Sequence, residues 1–369
     1  MKRNLIAFLL MLISFGATSQ KQEFPIDTSS VRMYLNMAKQ AENGILPSNQ
    51  EWDSLFNSKA YKALFESVRW NKKEFKNNVK NAFEIVYDPS KSDKYDSIVN
   101  ELENLTNFQD ELPFFVSTAL NIRKNLDSYS KMLTTINMDS VVNVANSMAL
   151  ELVPDKGAGL SPNVAPIYFI VWDLECRALN DNLFLDLNTF FQEGLQYATD
   201  ALAHEIHHFY LGPVFEANYS KDIIDGAVIA LVNNMREGVA DIINKKEMPL
   251  KSLVPYSESI LKIYNEDYFN TPVVLEKLDK VTCQFLDNNI TEENYFEKAI
   301  GCSHFEGHTT GDYMVFLIKE QLGIEAVIES VGNLDLFIDN YNKAALQAGS
   351  YVFSDKFTNH IHNLSNGAR

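Results

Sequence analysis

The chain has 369 residues and a formal net charge of −17, with 46% hydrophobic and 12% aromatic residues. This composition is typical of a folded protein with enough apolar material for two packed lobes. A strongly acidic surface repels phosphate groups, so we expect neither nucleic acid nor an anionic membrane surface as a partner.

Residues 1–20 have the pattern of a secretory signal peptide. Two basic residues precede an apolar run over residues 5–15, which is short for a membrane span, and small residues fill positions 16–20. We predict export from a bacterial cell to the periplasm or the medium, with cleavage near Ser19 or Gln20 and no stable membrane insertion afterwards. An uncleaved N-terminal anchor is the alternative.

Residues 21–155 predict a helical N-terminal lobe. A first helix is expected between Thr28 and Asn43, and Ser48 and Glu51 have the spacing of a capping box for the next helix. Apolar residues at helical spacing, many of them aromatic, indicate core packing rather than a cofactor site. Further amphipathic helices are predicted over residues 70–87, 93–106, 113–136 and 139–152.

A segment rich in glycine and proline over residues 154–162 marks the boundary to a second region, residues 156–250. Two β-branched and aromatic runs, 167–172 and 182–187, predict two strands that pair as a hairpin. The free edge of such a pair could add a peptide as a further strand. A small sheet that only supports the next helix is the alternative.

Residues 193–211 predict a helix that ends before Gly212 and carries a His-Glu-x-x-His motif. His204 and His208 are four residues apart, so they share a helix face and can present two imidazoles to one metal ion. Glu205 lies one step round the helix and can act as the general base towards a water molecule on that ion.

A neighbouring histidine, His207, could take the place of His208 as a ligand. It lies about 100° round the helix from His208 and does not complete the motif, so we expect it either to support the ligands from outside the metal or to pack, rather than to bind metal. A metzincin would need a further histidine where this chain has Val214, so that class is excluded.

Residues 222–245 predict a second long helix, which supplies the third protein ligand. Glu237 and Asp241 share a face of this helix; Glu237 can bind the metal, and Asp241 can accept the distal N–H of a ligating histidine. Gly238 is small enough to let two helices approach closely. Asp241 itself or Asp225 is the alternative third ligand.

Residues 251–369 predict a C-terminal helical lobe that covers the site, with helices over 255–266, 271–287, 292–300, 310–322 and 332–347. A segment rich in glycine and histidine opens one of these helices. From it, His308 or Tyr313 could reach over the metal and stabilise an oxyanion; His304 fits this role less well. Solvent exposure for the histidine and packing for the tyrosine are the alternatives.

The order of these motifs resembles the gluzincin metallopeptidases, the thermolysin-like class. Glu237-Gly-Val-Ala-Asp241 and the strands before the motif helix also resemble uncharacterised bacterial zinc-dependent peptidase domains. The resemblance is dense over residues 165–245 and thinner over 300–325. It implies a zincin-like catalytic domain with one Zn²⁺ ion, ligands His204, His208 and Glu237, the base Glu205, and a distal His or Tyr at His308 or Tyr313.

The sequence therefore predicts a mainly α fold with a small β-sheet, and an exported zinc metallopeptidase acting on peptides or proteins. A catalytically silent binding protein of the same fold and a zinc amidohydrolase for a non-peptide amide are the alternatives. Three cysteines are too few for a disulfide framework. A single bridge between Cys283 and Cys302 and three free thiols are both compatible with the sequence.

Overall fold

A computed structural model describes most of the chain: residues 24–67, 72–91, 94, 97–98, 111–157, 166–171, 176–179, 182–192, 194–218, 225–252 and 258–367. The predicted export segment, 1–20, and most of the predicted helix 93–106 lie outside these residues. Within them, no helix is both long and apolar enough to cross a membrane.

Seven described α-helices precede the main strands. The helix start near Thr28 and the capping box are confirmed: the side chain of Ser48 accepts the Glu51 N–H, and the Glu51 carboxylate accepts the Ser48 N–H. A single helix over 113–136 was a wrong prediction, because the chain breaks at Asn125. The helices are α1 (Ser29–Glu42), α2 (Asn49–Phe56), α3 (Lys59–Ser67), α4 (Lys72–Tyr87), α5 (Glu111–Lys124), α6 (Leu126–Thr135) and α7 (Met138–Glu151).

In the described part of the chain, four short strands form one mixed sheet in the order β1-β2-β4-β3. They are β1 (Ile26–Asp27), β2 (Ile167–Ile170), β3 (Cys176–Leu179) and β4 (Asn182–Asp186). Strands β2 and β4 pair in parallel, so the predicted hairpin between them is wrong. The antiparallel partner of β4 is β3, which lies between the two predicted strands and was not predicted from the sequence. Only two residues separate β3 from β4, the loop length that hairpins favour, and β4 keeps its other edge for β2.

The chain divides into two compact units. One contains the described residues of Met1–Val144 and Asn163–Leu202, the other those of Ala145–Pro162 and Ala203–Arg369. This partition differs from the predicted lobes because the sheet packs with the N-terminal helices. In the first unit Ser30 of α1 donates to the carbonyl of Phe169 at 2.6 Å.

Nine helices follow the sheet in the described chain. They are α8 (Leu187–Gln192), α9 (Gly194–Asn218), α10 (Gly226–Asn244), α11 (Glu258–Leu286), α12 (Glu292–Ile300), α13 (His308–Leu322), α14 (Ile324–Ser330), α15 (Leu334–Ala348) and α16 (Asp355–Gly367). The fold is mainly α with a small sheet, as predicted. Helix α9 runs through Pro213 and did not end at Gly212 as we expected. Two helices expected over 255–287 are one, α11.

Helix α11 continues through Pro272, which a sequence pattern treats as a helix end. Proline inside a helix costs about 3 kcal/mol. Thr271 and Val274 are buried on either side of it, and the Thr271 hydroxyl donates to the carbonyl of Asp267 at 3.3 Å. Packing of this segment therefore outweighs the local penalty.

Helix α13 is the central helix of the second unit and packs against α10, α11, α14 and α15. Its contact with α10 passes through two glycines. A Cβ atom at Gly238 would lie 2.3 Å from the carbonyl oxygen of Gly311, and one at Gly311 would lie 2.1 Å from that of Asn234. These spaces exclude any side chain, so the two backbones touch directly.

A left-handed turn precedes α13 and sets its starting point. Phe305, Glu306 and Gly307 have φ angles of 47°, 60° and 110°. For the two non-glycine residues this conformation costs about 1–3 kcal/mol each. A Cβ atom at Gly307 would lie 2.7 Å from the carbonyl oxygen of Asn233 on α10, so the backbone of the turn is also in close contact with that helix.

Side-chain bonds to α11 hold this turn in place. The Nδ1 atom of His304 lies 2.6 Å from Oδ1 of Asp267, and the hydroxyl of Thr309 donates to the other oxygen. The bond to Asp267 raises the pKa of His304, although burial opposes this. Burial raises the pKa of Asp267, but the bonds from His304 and Thr309 outweigh it and hold that pKa below its usual value.

The three cysteines are free thiols, so the possible Cys283–Cys302 bridge is not formed. The Cys283 thiol donates to Asp279 and the Cys302 thiol to the carbonyl of Lys298, each at 3.3 Å.

The glycine contact gives a stability prediction. Gly238→Ala should lower the free energy of unfolding of the zinc-free protein by about 1–3 kcal/mol or more, because α10 and α13 must separate. Urea unfolding followed by circular dichroism measures this. Gly212→Ala on α9 is the matched control: its Cβ meets open space, and helix propensity and the following proline offset one another within about 1 kcal/mol. Equal stability of the two variants would contradict the close contact.

The turn before α13 gives a pH-dependent prediction. A raised His304 pKa means that the ion pair stabilises the fold fully below the unfolded-state histidine value of about 6.5 and is lost as pH rises through the folded value. His304→Gln should therefore lose more stability near pH 5.5 than near pH 9, the loss being measured as the free energy of unfolding at each pH.

The control for this experiment is His362→Gln, which removes a histidine 3.2 Å from Asp339, a carboxylate that is 54% exposed where Asp267 is 17% exposed. Exposed pairs contribute at most about 1 kcal/mol, so its effect should be small at both pH values. A loss for His304→Gln that is the same at both pH values would show that the charge pair does not hold the turn.

Candidate metal centre

Helix α9 carries the two histidines of the motif on one face. The Nε2 atoms of His204 and His208 lie 3.2 Å apart, and the ring planes are nearly perpendicular at 89°. Both side chains are largely buried, with 6% and 7% exposed. The i, i+4 spacing therefore places two imidazole nitrogens at one point, as the sequence predicts.

Helix α10 brings a carboxylate oxygen to the same point. Glu237 Oε2 lies 3.5 Å from His204 Nε2 and 3.2 Å from His208 Nε2. Zinc bonds of about 2.0–2.1 Å in tetrahedral geometry place ligand atoms about 3.3–3.4 Å apart. The three donor atoms therefore fit three corners of a zinc coordination sphere. In the described part of the chain they form the one such group of His, Cys, Asp and Glu side chains.

The electrostatics of the donor set also suit a cation. Burial raises the pKa of Glu237, but His208 and His204 outweigh this effect and hold the pKa well below its usual value. Burial lowers the pKa of His204, but Asp241 and Glu237 outweigh it and hold that pKa well above its usual value. Without a metal ion, the Glu237 carboxylate therefore favours its negative form and lies beside the His204 ring, which favours its protonated form. A metal ion bound at His204 would displace the proton.

Asp241, one turn after Glu237, lies behind the donor atoms and is fully buried. Its Oδ1 atom is 3.2 Å from His204 Nδ1, and its Oδ2 atom accepts a hydrogen bond from His308 Nδ1 at 2.7 Å. A carboxylate at Nδ1 fixes the ring and leaves Nε2 free for metal. Asp241 is thus beside His204, the position expected from the sequence, and beside His308, a second histidine that was not expected there.

His308 enters the site from the first residue of α13. Its Nε2 atom lies 3.6 Å from Glu237 Oε2, and its ring is nearly parallel to that of His204, with centroids 5.8 Å apart. Burial lowers the pKa of His308, but Asp241 and Glu237 outweigh it and raise that pKa above its usual value. A nitrogen that can carry a proton therefore faces the candidate metal ligand Glu237.

The remaining motif residues occupy distinct positions. Glu205 Oε1 is 4.0 Å from His204 Nε2, and 14% of its side chain is exposed. His207 is fully buried and its Nε2 donates to the carbonyl of Leu152 at 3.3 Å. Burial lowers the pKa of His207 to about 3, so this ring is neutral and packs, in agreement with the sequence analysis.

Two other candidates have contacts elsewhere. The Tyr313 hydroxyl bonds to Ser350 at 2.7 Å and its ring packs on Tyr268, so Tyr313 is not among the side chains gathered at the donor atoms. Asp225 caps α10 through the N–H groups of residues 227 and 228, and its other oxygen is 3.0 Å from His360. Asp225 is therefore engaged at the other end of α10 from Glu237.

Sequence reasoning missed a buried polar cluster behind Asp241, formed by Lys245, Tyr264 and Asp312. Lys245 is four residues after Asp241, and Asp312 is four residues after His308. Helical spacing could therefore have indicated both of them. No local pattern indicated Tyr264, which comes from α11.

Searches against curated proteins and against solved structures gave no significant match. Zinc binding is therefore supported by the distances between the donor atoms and by one family comparison. Residues 52–350 match the model of the family described as "Putative zinc dependent peptidase (DUF5700)", and the chain belongs to this family.

Proposed function

We propose that the protein is an exported zinc metallopeptidase of the gluzincin type that hydrolyses peptide bonds in peptide or protein substrates. The observation that carries the proposal is the triangle of His204, His208 and Glu237 donor atoms, with edges of 3.2, 3.2 and 3.5 Å. Family membership supports the zinc and the peptidase chemistry. The signal-like residues 1–20 support export to the periplasm or the medium.

The donor set would hold one Zn²⁺ ion through His204 Nε2, His208 Nε2 and Glu237 Oε2. When bound, the ion supplies Lewis acidity, polarising a carbonyl group and lowering the pKa of a water molecule. Asp241 contributes by fixing the His204 ring from its far side.

Glu205 is the proposed general base. Its carboxylate is next to His204 and partly open to solvent, so it can face a water molecule at the site. Glu205 would accept the water proton on a carboxylate oxygen and pass it to the nitrogen of the leaving amine, the two proton transfers that amide hydrolysis requires.

His308 is the proposed donor to the oxyanion. Asp241 orients its ring through Nδ1, so the proton on Nε2 points towards the side of Glu237. A preorganised donor of this kind stabilises negative charge on the substrate oxygen as the carbonyl is attacked. We assign this role to His308 rather than to Tyr313, because the Tyr313 hydroxyl is bonded to Ser350.

A catalytically silent protein of this fold and a hydrolase for a non-peptide amide are the alternatives. The presence of Glu205 favours an enzyme, because a binding protein has no need of a base beside the metal. A mixed library of peptides and simple amides distinguishes the two hydrolytic functions.

Replacement of the base should separate metal binding from catalysis. Glu205→Gln should retain one zinc per chain, since Glu205 is not among the donor atoms, and should lose about 100- to 10,000-fold in kcat on a peptide library. Elemental analysis and a peptide-cleavage assay of both proteins measure these quantities. Wild-type protein that holds no zinc after zinc addition would refute the proposed function, as would equal cleavage rates.

Removal of the third ligand should instead weaken zinc binding. Glu237→Ala should lower zinc affinity by more than the 10- to 100-fold typical of outer-shell changes, because it deletes a donor atom. Competition with a chromophoric chelator gives the affinity. Glu247→Ala is the control, since Glu247 is an exposed partner of Lys251 and should leave zinc affinity unchanged. Unchanged affinity in Glu237→Ala would assign the third position to another carboxylate.

A further inference from the structure

A buried ammonium group lies behind the proposed metal centre. The side chain of Lys245 is 11% exposed, and its Nζ atom lies within hydrogen-bonding distance of Asp241 Oδ2, the Tyr264 hydroxyl and Asp312 Oδ2. An ammonium group has three N–H donors and no acceptor, so these three oxygens can take all of them, and His308 Nδ1 also lies 3.5 Å from Nζ. The proposed hydrolytic steps do not use this lysine.

The helix contact explains why the lysine is there. Glu237 and Asp241 are four residues apart on one face of α10, and Lys245 follows four residues later as the C-cap of that helix. His308 and Asp312 have the same spacing on α13. The two faces meet beside the glycine contact of these helices. Tyr264 joins from α11 and donates to Asp312 Oδ2 at 2.8 Å.

Within this cluster, Asp241 is the residue that connects Lys245 to His204 and His308. Asp241 Oδ2 is shared by Lys245 Nζ and His308 Nδ1, and Oδ1 faces His204 Nδ1. A carboxylate that is fully buried needs a compensating charge and fixed donors, and Lys245 supplies both. Burial and the nearby Asp241 raise the pKa of Asp312 well above its usual value, which makes Asp241 the stronger partner of the ammonium group.

We propose that Lys245 is a positioning residue of the metal centre, which holds the Asp241 carboxylate in the single orientation that reaches both His204 Nδ1 and His308 Nδ1. This inference rests on the proposed metal site and deepens it. Without the ammonium group, Asp241 would lose its charged partner and could turn away from one imidazole. Lys245 would thus act on zinc affinity through Asp241 and without contact to the ion.

The test combines Lys245→Met, Asp241→Asn and the double variant. Zinc affinity is measured by chelator competition, and the protonated ring nitrogens of His204 and His308 are identified in the zinc-free protein by long-range ¹H–¹⁵N NMR. Lys251→Met is the matched control, because it removes an exposed lysine that pairs with Glu247 at 2.6 Å on the chain just after α10.

Lys245→Met should lower zinc affinity by about 10- to 100-fold, the range for residues that orient ligands, and Lys251→Met should not change it. In the Asp241→Asn background, Lys245→Met should have little further effect, because both changes break one chain of contacts. The NMR spectra, recorded at a pH high enough for both rings to be neutral, should show a proton on Nδ1 of both rings in the wild type and a mixture of tautomers in Lys245→Met.

Unchanged zinc affinity and unchanged tautomers in Lys245→Met would overturn the proposal, even if the unfolding midpoint fell. The proposal would also be overturned if Lys245→Met lowered zinc affinity by the same factor in the wild type and in the Asp241→Asn variant. If Lys245→Met does not fold, Lys245→Arg replaces it, since a guanidinium keeps the charge but not the compact three-way contact; the same two results then decide.

The outcome is separable from the proposed function. Wild-type protein that binds zinc without cleaving any peptide would refute the peptidase and leave the role of Lys245 intact. Normal peptide cleavage with an unaffected Lys245→Met variant would refute the role of Lys245 and leave the peptidase.

Discussion

The direct backbone contact between α10 and α13 is the constraint on which the site depends. Gly238 and Gly311 leave no room for a Cβ atom, so neither helix can be held off by a side chain. The polar faces on either side of this contact then meet: Glu237 and Asp241 from one helix, His308 from the other. The close contact of α10 and α13 thus brings two i, i+4 pairs, Glu237 with Asp241 and His308 with Asp312, into one polar cluster.

The two carboxylates on α10 have different surroundings. Glu237 faces two imidazole Nε2 atoms and is partly open, whereas Asp241 is fully buried and faces two Nδ1 atoms. A carboxylate in the first position suits a metal ligand, and one in the second suits an acceptor that orients the rings. The buried charge of Asp241 is matched by the ammonium group of Lys245.

His308 depends on backbone that is locally unfavourable. The left-handed turn at Phe305 and Glu306 costs free energy, and the bonds of His304 and Thr309 to Asp267 offset it. Because the turn ends at Gly307, α13 begins at His308, whose side chain bonds Asp241. Strained backbone next to polar, functional side chains is a common arrangement in proteins, because the fold supplies the stabilisation that the segment lacks.

The sequence by itself determined what is local. His204, Glu205 and His208 share their helix because of the helical period, the capping box at Ser48 follows from side-chain reach, and Glu237 with Asp241 were identifiable from one helix face. Only the tertiary structure decided what depends on distant segments. The parallel pairing of β2 with β4, the continuous α11 through Pro272 and the placement of His308 beside Asp241 follow from packing between segments far apart in the chain. Tyr264, and the sharing of Asp241 between two histidines, likewise required the crossing of three helices, which no spacing along the chain encodes.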